Sequence, residues 1–266
     1  MNARLFCVAV ALALAPLTAQ AQTLTLAQDN AGDPVYTSGF AGLNGGFGFD
    51  VFNVVTSTPG GGAAGTFTAS ASESEGDAAN GVMDTNGLSF GTYANGPSTG
   101  ADDPSVTVTR TFTSGPTAGD TFSLDFVSGN NDGGSAGVSL FSDSKIFGSF
   151  VFQSGSGVLF NGQSTGLGFV PGPTHLVYAI TSATTYSLTA TGADAFTGSG
   201  TFSGPVTGFQ MFQSDAGAAT PDHNAYFNNL LETAPTAAPV PEASSLIGLG
   251  LLLAFSAAAY RRTVKA

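Results

Sequence analysis

A strict two-residue alternation between Val106 and Thr113 constrains this chain more than any other feature. Two valines, Arg110 and Phe112 fall on one side of an extended strand, and four threonines fall on the other. Thr121–Val127 repeats the pattern with phenylalanine and leucine on one side. Half-buried strands have this period, and no stretch before residue 240 has a persuasive helical period of 3.6 residues. The sequence therefore predicts an all-β fold.

Short segments of the same kind follow one another through most of the chain. Glycine, at 37 of 266 residues, supplies the conformations that the turns between them need. Many short strands joined by close turns favour a jelly-roll β-sandwich, in which two sheets pack their Phe and Val faces together. The lack of a fixed-period repeat argues against a solenoid or a propeller. The predicted strands are Thr23–Ala27, Phe49–Thr56, Thr66–Ser72, Leu88–Tyr93, Val106–Thr113, Thr121–Val127, Gly137–Ser142, Lys145–Phe152, His175–Thr181, Thr185–Ala190, Gly200–Phe202, Val206–Gln213 and Ala225–Leu231.

The charge balance excludes nucleic acid as a partner. All 18 acidic residues lie between Asp29 and Glu242, where only Arg110 and Lys145 oppose them, so this part has a net charge of 2 − 18 = −16. Such a field repels nucleic acid and anionic lipid and favours cations, and it also keeps a protein soluble. The 22 phenylalanines argue against disorder, because their rings bury enough surface to offset the entropy of ordering.

The first 21 residues have the three parts of a secretory signal peptide. Arg4 supplies the positive start, Leu5–Leu17 the apolar core, and Ala19 and Ala21 the small residues of the cleavage site. The core is short for a membrane span and is broken by a proline, so cleavage is favoured over a retained anchor. Cleavage removes the only cysteine, Cys7, and leaves an exported body without a disulfide.

A proline-rich linker, residues 233–242, follows the predicted sandwich domain, residues 22–232. Its prolines give an extended, semi-rigid spacer that ends in Val240, Pro241 and Glu242. Such a spacer keeps its own end accessible to a processing enzyme.

An apolar segment, residues 243–260, and a basic tail, residues 261–266, complete the chain. As a helix, the part of the apolar segment from Ser244 to Tyr260 is roughly 25 Å long, just enough to cross a thin bilayer. Arg261 and Arg262 hold the C-terminus in the cytoplasm by the positive-inside rule and place the body outside. A permanent single-span membrane anchor is the plainer alternative.

Arg110 is the most unusual residue of the body, because it lies in phase with Val106, Val108 and Phe112 on the face predicted to be buried. A buried guanidinium needs a carboxylate or a carbonyl partner. A structural ion pair, or an arginine at a strand end that reaches water, is the ordinary explanation. A ligand-binding guanidinium inside the sandwich is the functional alternative.

Two acidic loops contain oxygen ligands of the kind that Ca²⁺ takes. Neither loop completes the D-x-[DN]-x-[DN]-G pattern, so solvated acidic loops are the default and a calcium site is the alternative. No other cofactor is predicted. The candidate ligands are Glu73, Glu75, Asp77, Asp84, Asn130 and Asp132.

Catalytic groups are scarce in the body, and no enzyme is predicted. Its two histidines are His175, within an alternating strand where a packed histidine is the ordinary role, and His223, in a polar turn. A glycosidase needs two opposed carboxylates. Asp120 and Asp125 are close in sequence, but nothing in the sequence brings a pair together.

The C-terminal residues resemble a bacterial sorting signal. Val240-Pro241-Glu242-Ala243, the apolar helix and Arg261-Arg262 are similar to the PEP-CTERM signal of Gram-negative bacteria, with Ala243 in place of its usual second proline. The resemblance implies export through the inner membrane, transient tethering by the helix, and recognition by an exosortase that removes the tail near the Pro-Glu motif. It also implies delivery to the cell envelope or extracellular matrix and a link to exopolysaccharide and biofilm.

The body resembles a recurrent secreted domain that precedes such tails and looks like a concanavalin-like jelly roll. This domain often carries a tryptophan soon after the first matching stretch. That tryptophan is absent here, and Phe52 is the nearest counterpart. The resemblance brings no activity with it. The matching stretches are 44–49, 86–95, 110–112, 119–123 and 226–230.

We therefore expect a non-enzymatic, exported β-sandwich protein that is a structural or exopolysaccharide-associated component of the envelope or matrix. A lectin-like module that binds glycan, with or without Ca²⁺, is the first alternative. A polysaccharide hydrolase is the second. The expected partners are the exosortase and inner membrane during export, and exopolysaccharide afterwards.

Overall fold

Short β-strands account for most of the regular structure. The structure is a computed structural model that describes residues 23–74, 81–96, 103–143, 145–170, 172–217 and 219–236. Its strands are β1 (Thr23–Asp29), β2 (Asn53–Ser57), β3 (Ala63–Ala69), β4 (Ser89–Asn95), β5 (Ser105–Thr111), β6 (Thr121–Val127), β7 (Ser135–Ser142), β8 (Lys145–Gln153), β9 (Gly157–Phe160), β10 (Gln163–Ser164), β11 (Thr174–Ser182), β12 (Thr185–Gly192), β13 (Phe196–Thr201), β14 (Gly208–Ser214) and β15 (Ala225–Pro235). Its 3-10 helices are Pro34–Tyr36, Pro59–Gly61, Ala71–Glu73 and Pro221–His223.

The strands form two antiparallel sheets. The eight-stranded sheet has the order β13-β12-β11-β6-β15-β4-β3, with β1 also paired to β15, and the seven-stranded sheet has the order β10-β9-β8-β7-β14-β5-β2. β14 lies between β7 and β5, and β15 lies between β6 and β4, so the last two strands of the chain complete the centre of each sheet. The predicted all-β sandwich is confirmed.

Phenylalanine rings join the inner faces of the two sheets. Phe122 of β6 stacks on Phe209 of β14, with 4.8 Å between ring centroids, and Phe126 of β6 contacts Phe152 of β8 at 5.9 Å. These rings are at most 5% exposed. Burying one such side chain contributes about 1.5–3 kcal/mol, which explains how a chain with few charges and no disulfide in this part holds together.

Several glycines inside the strands lie directly opposite an aromatic residue. On β3 and β4 the ring of Phe67 covers Gly91, so that a Cβ at Gly91 would lie 2.5 Å from Phe67 Cζ. A glycine leaves room for a ring to lie flat across the neighbouring strand, and the ring replaces the packing that the glycine lacks. This pairing accounts for a sequence rich in both Gly and Phe. The other pairs are Gly65 with Tyr93, Gly137 with Phe212, Gly208 with Phe141, and Gly200 with Tyr186.

The predicted strands agree with the structure best where the alternation is strict. Thr121–Val127 has the predicted bounds, and the predicted hairpin between β7 and β8 is present, with Asp143 at a φ of 53° in its turn. The strands β9 and β10 were not predicted, because they are short and lie among glycines. The predicted start of the linker at residue 233 is wrong, since β15 continues to Pro235 and pairs Thr233 with Thr121.

The predicted signal peptide, with Ala19 and Ala21, lies outside the described residues. So do the sorting motif Val240-Pro241-Glu242, the apolar segment and Arg261-Arg262. Among the residues that the structure does describe, no helix has the length and apolar character needed to span a membrane.

Candidate functional site

A groove of about 360 Å³ runs across the outer face of the seven-stranded sheet, where β5, β14 and β7 lie side by side. Its volume is at the lower end of the range typical of ligand sites. Three of its residues, Val106, Ser139 and Gln213, are fully buried, so the groove is shaped mainly by the other side chains. It is lined by Ser105, Val106, Thr107, Ser139, Ile146, Ser149, Gln210, Phe212, Gln213 and Ser214.

The register of the three strands fixes the floor of the groove. Gln210 on β14 pairs with Thr109 on β5 and with Ser139 on β7. Two residues further along β14, Phe212 pairs with Thr107 and lies over a glycine of β7. Because side chains alternate along a strand, Gln210 and Phe212 lie on the outer face while their neighbours point into the core. The result is an aromatic ring beside a row of hydroxyl and amide groups.

Hydrogen bonds hold the polar floor in place. Ser139 is fully buried and donates to Ser149 Oγ at 2.8 Å, and Ser135 and Ser214 hydroxyls lie 3.3 Å apart across the strands. Gln213 has turned inward, where its amide nitrogen donates to the carbonyl of His223 at 2.5 Å. The floor is therefore set by the sheet itself and needs little rearrangement to accept a ligand.

None of the ten lining residues has a side chain that gains or loses a proton near neutral pH. General acid–base catalysis needs such a group within hydrogen-bond reach of the reacting atoms. Hydroxyl and amide side chains both donate and accept hydrogen bonds without carrying charge. The groove thus has the chemistry of a binding site for an uncharged polar ligand.

Acidic residues border the groove where β14 ends. Asp215 follows Ser214 and has a φ of 40°, a conformation that few residues other than glycine adopt easily. Burial, and then the charge of Asp103, raise the pKa of the Asp215 carboxyl. Oδ2 of Asp132, in the loop before β7, lies 3.0 Å from Nε2 of His223. This end of the groove therefore disfavours anions.

Arg110, a candidate ligand-binding residue, lies in the interior with no solvent-exposed side-chain surface. Nη1 is 2.5 Å from Asp29 Oδ2, Nε donates to the carbonyl of Asp50 at 2.8 Å, and Nη2 donates to Asn44 Oδ1. Asp29 also accepts a hydrogen bond of 2.5 Å from the hydroxyl of Tyr36. The structural ion pair predicted as the ordinary explanation is confirmed, and the guanidinium lies outside the groove.

Among the candidate calcium ligands that the structure describes, Asp84 is held by partners of its own. Asp84 Oδ1 accepts from the amide of Ala71 at 3.0 Å and from Ser89 at 2.7 Å, while Oδ2 accepts from Ser70 at 2.5 Å, so it stabilises a loop. Within the described ranges, no group of three or more His, Cys, Asp or Glu side chains is arranged to hold a metal ion. Glu75 and Asp77 lie outside those ranges, and the side chain of Glu73 is likewise not described. Asn130 and Asp132 belong to the loop at the groove end.

His175 differs from the packed histidine that the sequence indicated. It is 45% exposed on the outer face of the eight-stranded sheet, with Nδ1 2.7 Å from Asp125 Oδ1. The hydrogen bond to Asp125 raises the pKa of His175. Asn229 donates to the other oxygen of Asp125 at 2.7 Å. Asp120, by contrast, is buried and accepts from the amide and hydroxyl of Thr117, so the two aspartates do not form a catalytic pair.

Two buried carboxyl groups were not found from the sequence. Glu232 on β15 and Asp194 after β12 are each 1% exposed, and Glu232 Oε1 and both oxygens of Asp194 have no hydrogen-bond partner among the described residues. Burial raises the pKa of Asp194 to about 6. Burial, and then the charge of Asp120, raise the pKa of Glu232 to about 7. The alternation of β15 places Glu232 in the core, but Glu232 lies past the predicted strand end.

Fold and groove together define an all-β sandwich with an open, uncharged groove on one outer face. No protein-family model and no curated protein sequence matches the chain. A protein of unknown function from Shewanella oneidensis MR-1 is 10% identical, with a TM-score of 0.38 over 91% of this chain and 98% of that one. The carbohydrate recognition domain of Emp47p is 12% identical, with a TM-score of 0.33 over 67% of this chain and 90% of that one.

The catalytic domain of a GH87 alpha-1,3-glucanase is 18% identical, with a TM-score of 0.24 over 72% of this chain and 29% of that one. TM-scores this low assign neither a family nor an activity.

Proposed function

We propose that this protein is an exported, non-catalytic glycan-binding β-sandwich of the jelly-roll class that associates with exopolysaccharide at the cell envelope or in the extracellular matrix. The observation that carries the proposal is the groove on the seven-stranded sheet, which is lined by hydroxyl and amide side chains and one aromatic ring, with no ionisable group. Sugars present hydroxyl groups that donate and accept, and this lining matches them.

The same observation favours binding over hydrolysis. A glycoside hydrolase positions two carboxyl groups on either side of the scissile bond. Two carboxyl groups, those of Asp215 and Asp132, lie at one end of the groove, and Asp132 already contacts His223. Glu232 and Asp194 are buried and do not line the groove. We therefore propose that the protein retains a polysaccharide and does not cleave it.

Replacing Gln210 with alanine is the direct test of the groove. Gln210 stands at its centre, and we expect Gln210→Ala to weaken binding of neutral hexasaccharides about tenfold, since one or two hydrogen bonds of ~1 kcal/mol each are lost. Binding is measured on an array of α- and β-linked glucan, mannan and galactan hexasaccharides with the purified full chain. Gln163→Ala, at an exposed position on edge strand β10 of the same sheet, is the matched control and should bind like the natural protein. If the natural protein binds no member of the array, the proposed function is wrong.

Export and sorting form the second part of the proposal and rest on the terminal motifs of the sequence. In the native host we expect intact-mass spectrometry to find a chain that begins after Ala21 and ends near Pro241-Glu242, with Arg261 and Arg262 removed. Changing Pro241-Glu242 to Ala-Ala should leave the tail attached and the protein in the inner membrane. A mature chain that still ends at Ala266 in the natural sequence would contradict processing by an exosortase and favour the permanent anchor.

A further inference from the structure

We propose that Phe212 and Phe141 are two stacking platforms, which make the groove select an extended, uncharged polysaccharide chain over a single sugar. This inference rests on the proposed function and names the kind of glycan that the site takes. It comes from the two rings, the glycines beneath them and the row of polar residues between them.

Phe212 lies flat because its partner on β7 is a glycine. It pairs directly with Gly137, and a Cβ at Gly137 would lie 3.0 Å from Phe212 Cζ. The ring therefore covers the backbone of β7, and Gly137 itself is buried beneath it. Phe212 is partly exposed and lines the groove, so its outer face is available to a ligand.

Phe141 is the second ring that covers a glycine, but here the ring belongs to β7 and the glycine belongs to β14. Phe141 pairs with Gly208 and covers that glycine so closely that a side chain there would collide with the ring. Phe141 is partly exposed and stands just outside the lining of the groove, next to its partner Ile146 of β8, which lines the groove and is 56% exposed. The pair Gln210–Ser139 lies between the two rings.

The spacing of the two rings sets the length of the ligand. Phe212 and Gly208 are four residues apart on one strand, so the two platforms are separated by ~13 Å at ~3.3 Å per residue. One sugar ring is too short to reach from one platform to the other. A chain of several sugars contacts both platforms, with hydroxyl groups over Gln210 and the serines between them.

The charge and chemistry of the face determine which chain is accepted. The face of an aromatic ring carries negative potential, so it attracts the C–H groups on the flat face of a sugar. The groove lining is uncharged, whereas the part of the chain between Asp29 and Glu242 carries a net charge of −16. A uronic-acid polymer is repelled by that field, and a neutral polymer is not.

The eight-stranded sheet also carries a ring over a glycine, and there the ring packs against other apolar side chains. Phe67 covers Gly91 on its outer face, but Phe67 packs against Tyr226 at 5.6 Å and against a second apolar cluster that contains Met83. Phe67 therefore serves stability. It is a matched control for Phe212 and Phe141, because it is also a ring over a glycine, on the opposite side of the molecule.

The test measures binding of glucose and of neutral di- and hexasaccharides from the array by titration calorimetry, with hexagalacturonate as the anionic probe. We expect Phe212→Leu and Phe141→Leu each to weaken hexasaccharide binding at least tenfold, and Phe212→Tyr and Phe141→Tyr to retain it. Phe67→Leu should lower the melting temperature without changing affinity. The natural protein should bind the hexasaccharide far more tightly than glucose, and hexagalacturonate hardly at all.

Three outcomes would overturn the inference. If the leucine variants bind like the natural protein while Gln210→Ala does not, the groove binds glycan but the rings are not platforms. If hexagalacturonate binds best, the selection for uncharged chains is wrong. If sedimentation shows dimers that Phe212→Leu dissociates, the face binds a second copy of this chain. Binding of no glycan at all would instead remove the proposed function itself.

Discussion

Replacing Arg110 with methionine is expected to destabilise the sandwich by about 3–5 kcal/mol, the range found when one partner of a buried ion pair is removed. A domain of this size has a total stability of about 5–15 kcal/mol, so this single change removes a large part of it. The reason is Asp29, whose carboxylate is 1% exposed and loses its charge partner. Methionine keeps the apolar volume, so the loss reports the charge and its hydrogen bonds.

The surroundings of the guanidinium explain why the loss is so large. Its central carbon lies 4.1 Å from the ring centroid of Phe52 and 4.7 Å from that of Phe49, an arrangement in which each ring face attracts the cation. Its hydrogen bonds tie β5 to the segment that carries Asn44 and Asp50, which is otherwise glycine-rich. Arg110 thus fastens a long irregular segment to the core, and the methionine variant releases it.

Urea unfolding of the natural protein and four variants measures this effect. Lys145→Met is the matched control and should cost less than ~0.5 kcal/mol, because Lys145 is exposed and its Nζ makes a long, exposed contact of 3.4 Å with Ser203 Oγ. Asp29→Asn should also destabilise, yet Arg110→Met with Asp29→Asn should be more stable than Arg110→Met alone, since no buried charge is left unpaired. A cost for Arg110→Met no larger than that for Lys145→Met would show that the ion pair does not matter.

The strands were predictable where one physical rule decides them. In Thr121–Val127 a two-residue alternation is enough, because burial of one face sets both the strand and its register. β9 and β10 are held by pairing with neighbours more than by their own residues, so their short sequences gave no signal. Arg110 was predictable only in part. Its phase predicted burial, but its partner Asp29 is 81 positions away and was not predictable.

The groove was harder to predict from the sequence than the fold was. Val206–Gln213 was predicted as a strand, so the outward position of Gln210 and Phe212 follows from alternation. Their importance depends on the neighbours that β14 acquires, and insertion of β14 between β7 and β5 joins segments far apart in the chain. Glycine opposite phenylalanine across a strand pair is the signal that would have helped. It becomes visible only once the register is known.

Replacing Glu232 with glutamine is expected to stabilise the protein at alkaline pH, an unusual result for a core substitution. Burial, and then the charge of Asp120, raise the pKa of Glu232 from 4.5 to about 7. The folded state therefore binds this proton more tightly than the unfolded chain does. The stabilisation is complete below pH 4.5 and is lost as the pH rises to about 7. The shift corresponds to roughly 3 kcal/mol between the two ends of this range.

Glutamine has nearly the same shape and carries no charge at any pH, so the variant should not lose this stability as the pH rises. At pH 8 we expect Glu232→Gln to be more stable than the natural protein by about 2–3 kcal/mol, and at pH 4 to be equal within about 1 kcal/mol. Urea unfolding at pH 4, 6 and 8 measures the difference. Asp143→Asn, at an exposed turn, is the control and should follow the natural protein at every pH.

Asp194 contributes in the same direction, because burial raises its pKa from 3.8 to about 6. The natural protein should therefore lose stability in two overlapping steps as the pH rises, the lower one from Asp194 and the higher one from Glu232. Glu232→Gln should retain only the step at lower pH. Asp194→Asn should keep the step at higher pH, and the double variant should have the flattest profile of all. Since neither residue lines the groove, glycan affinity at a fixed pH should be the same in all three variants. If Glu232→Gln is instead less stable than the natural protein at pH 8, the carboxylate is paired in the folded protein and its ionised form is the stabilising one.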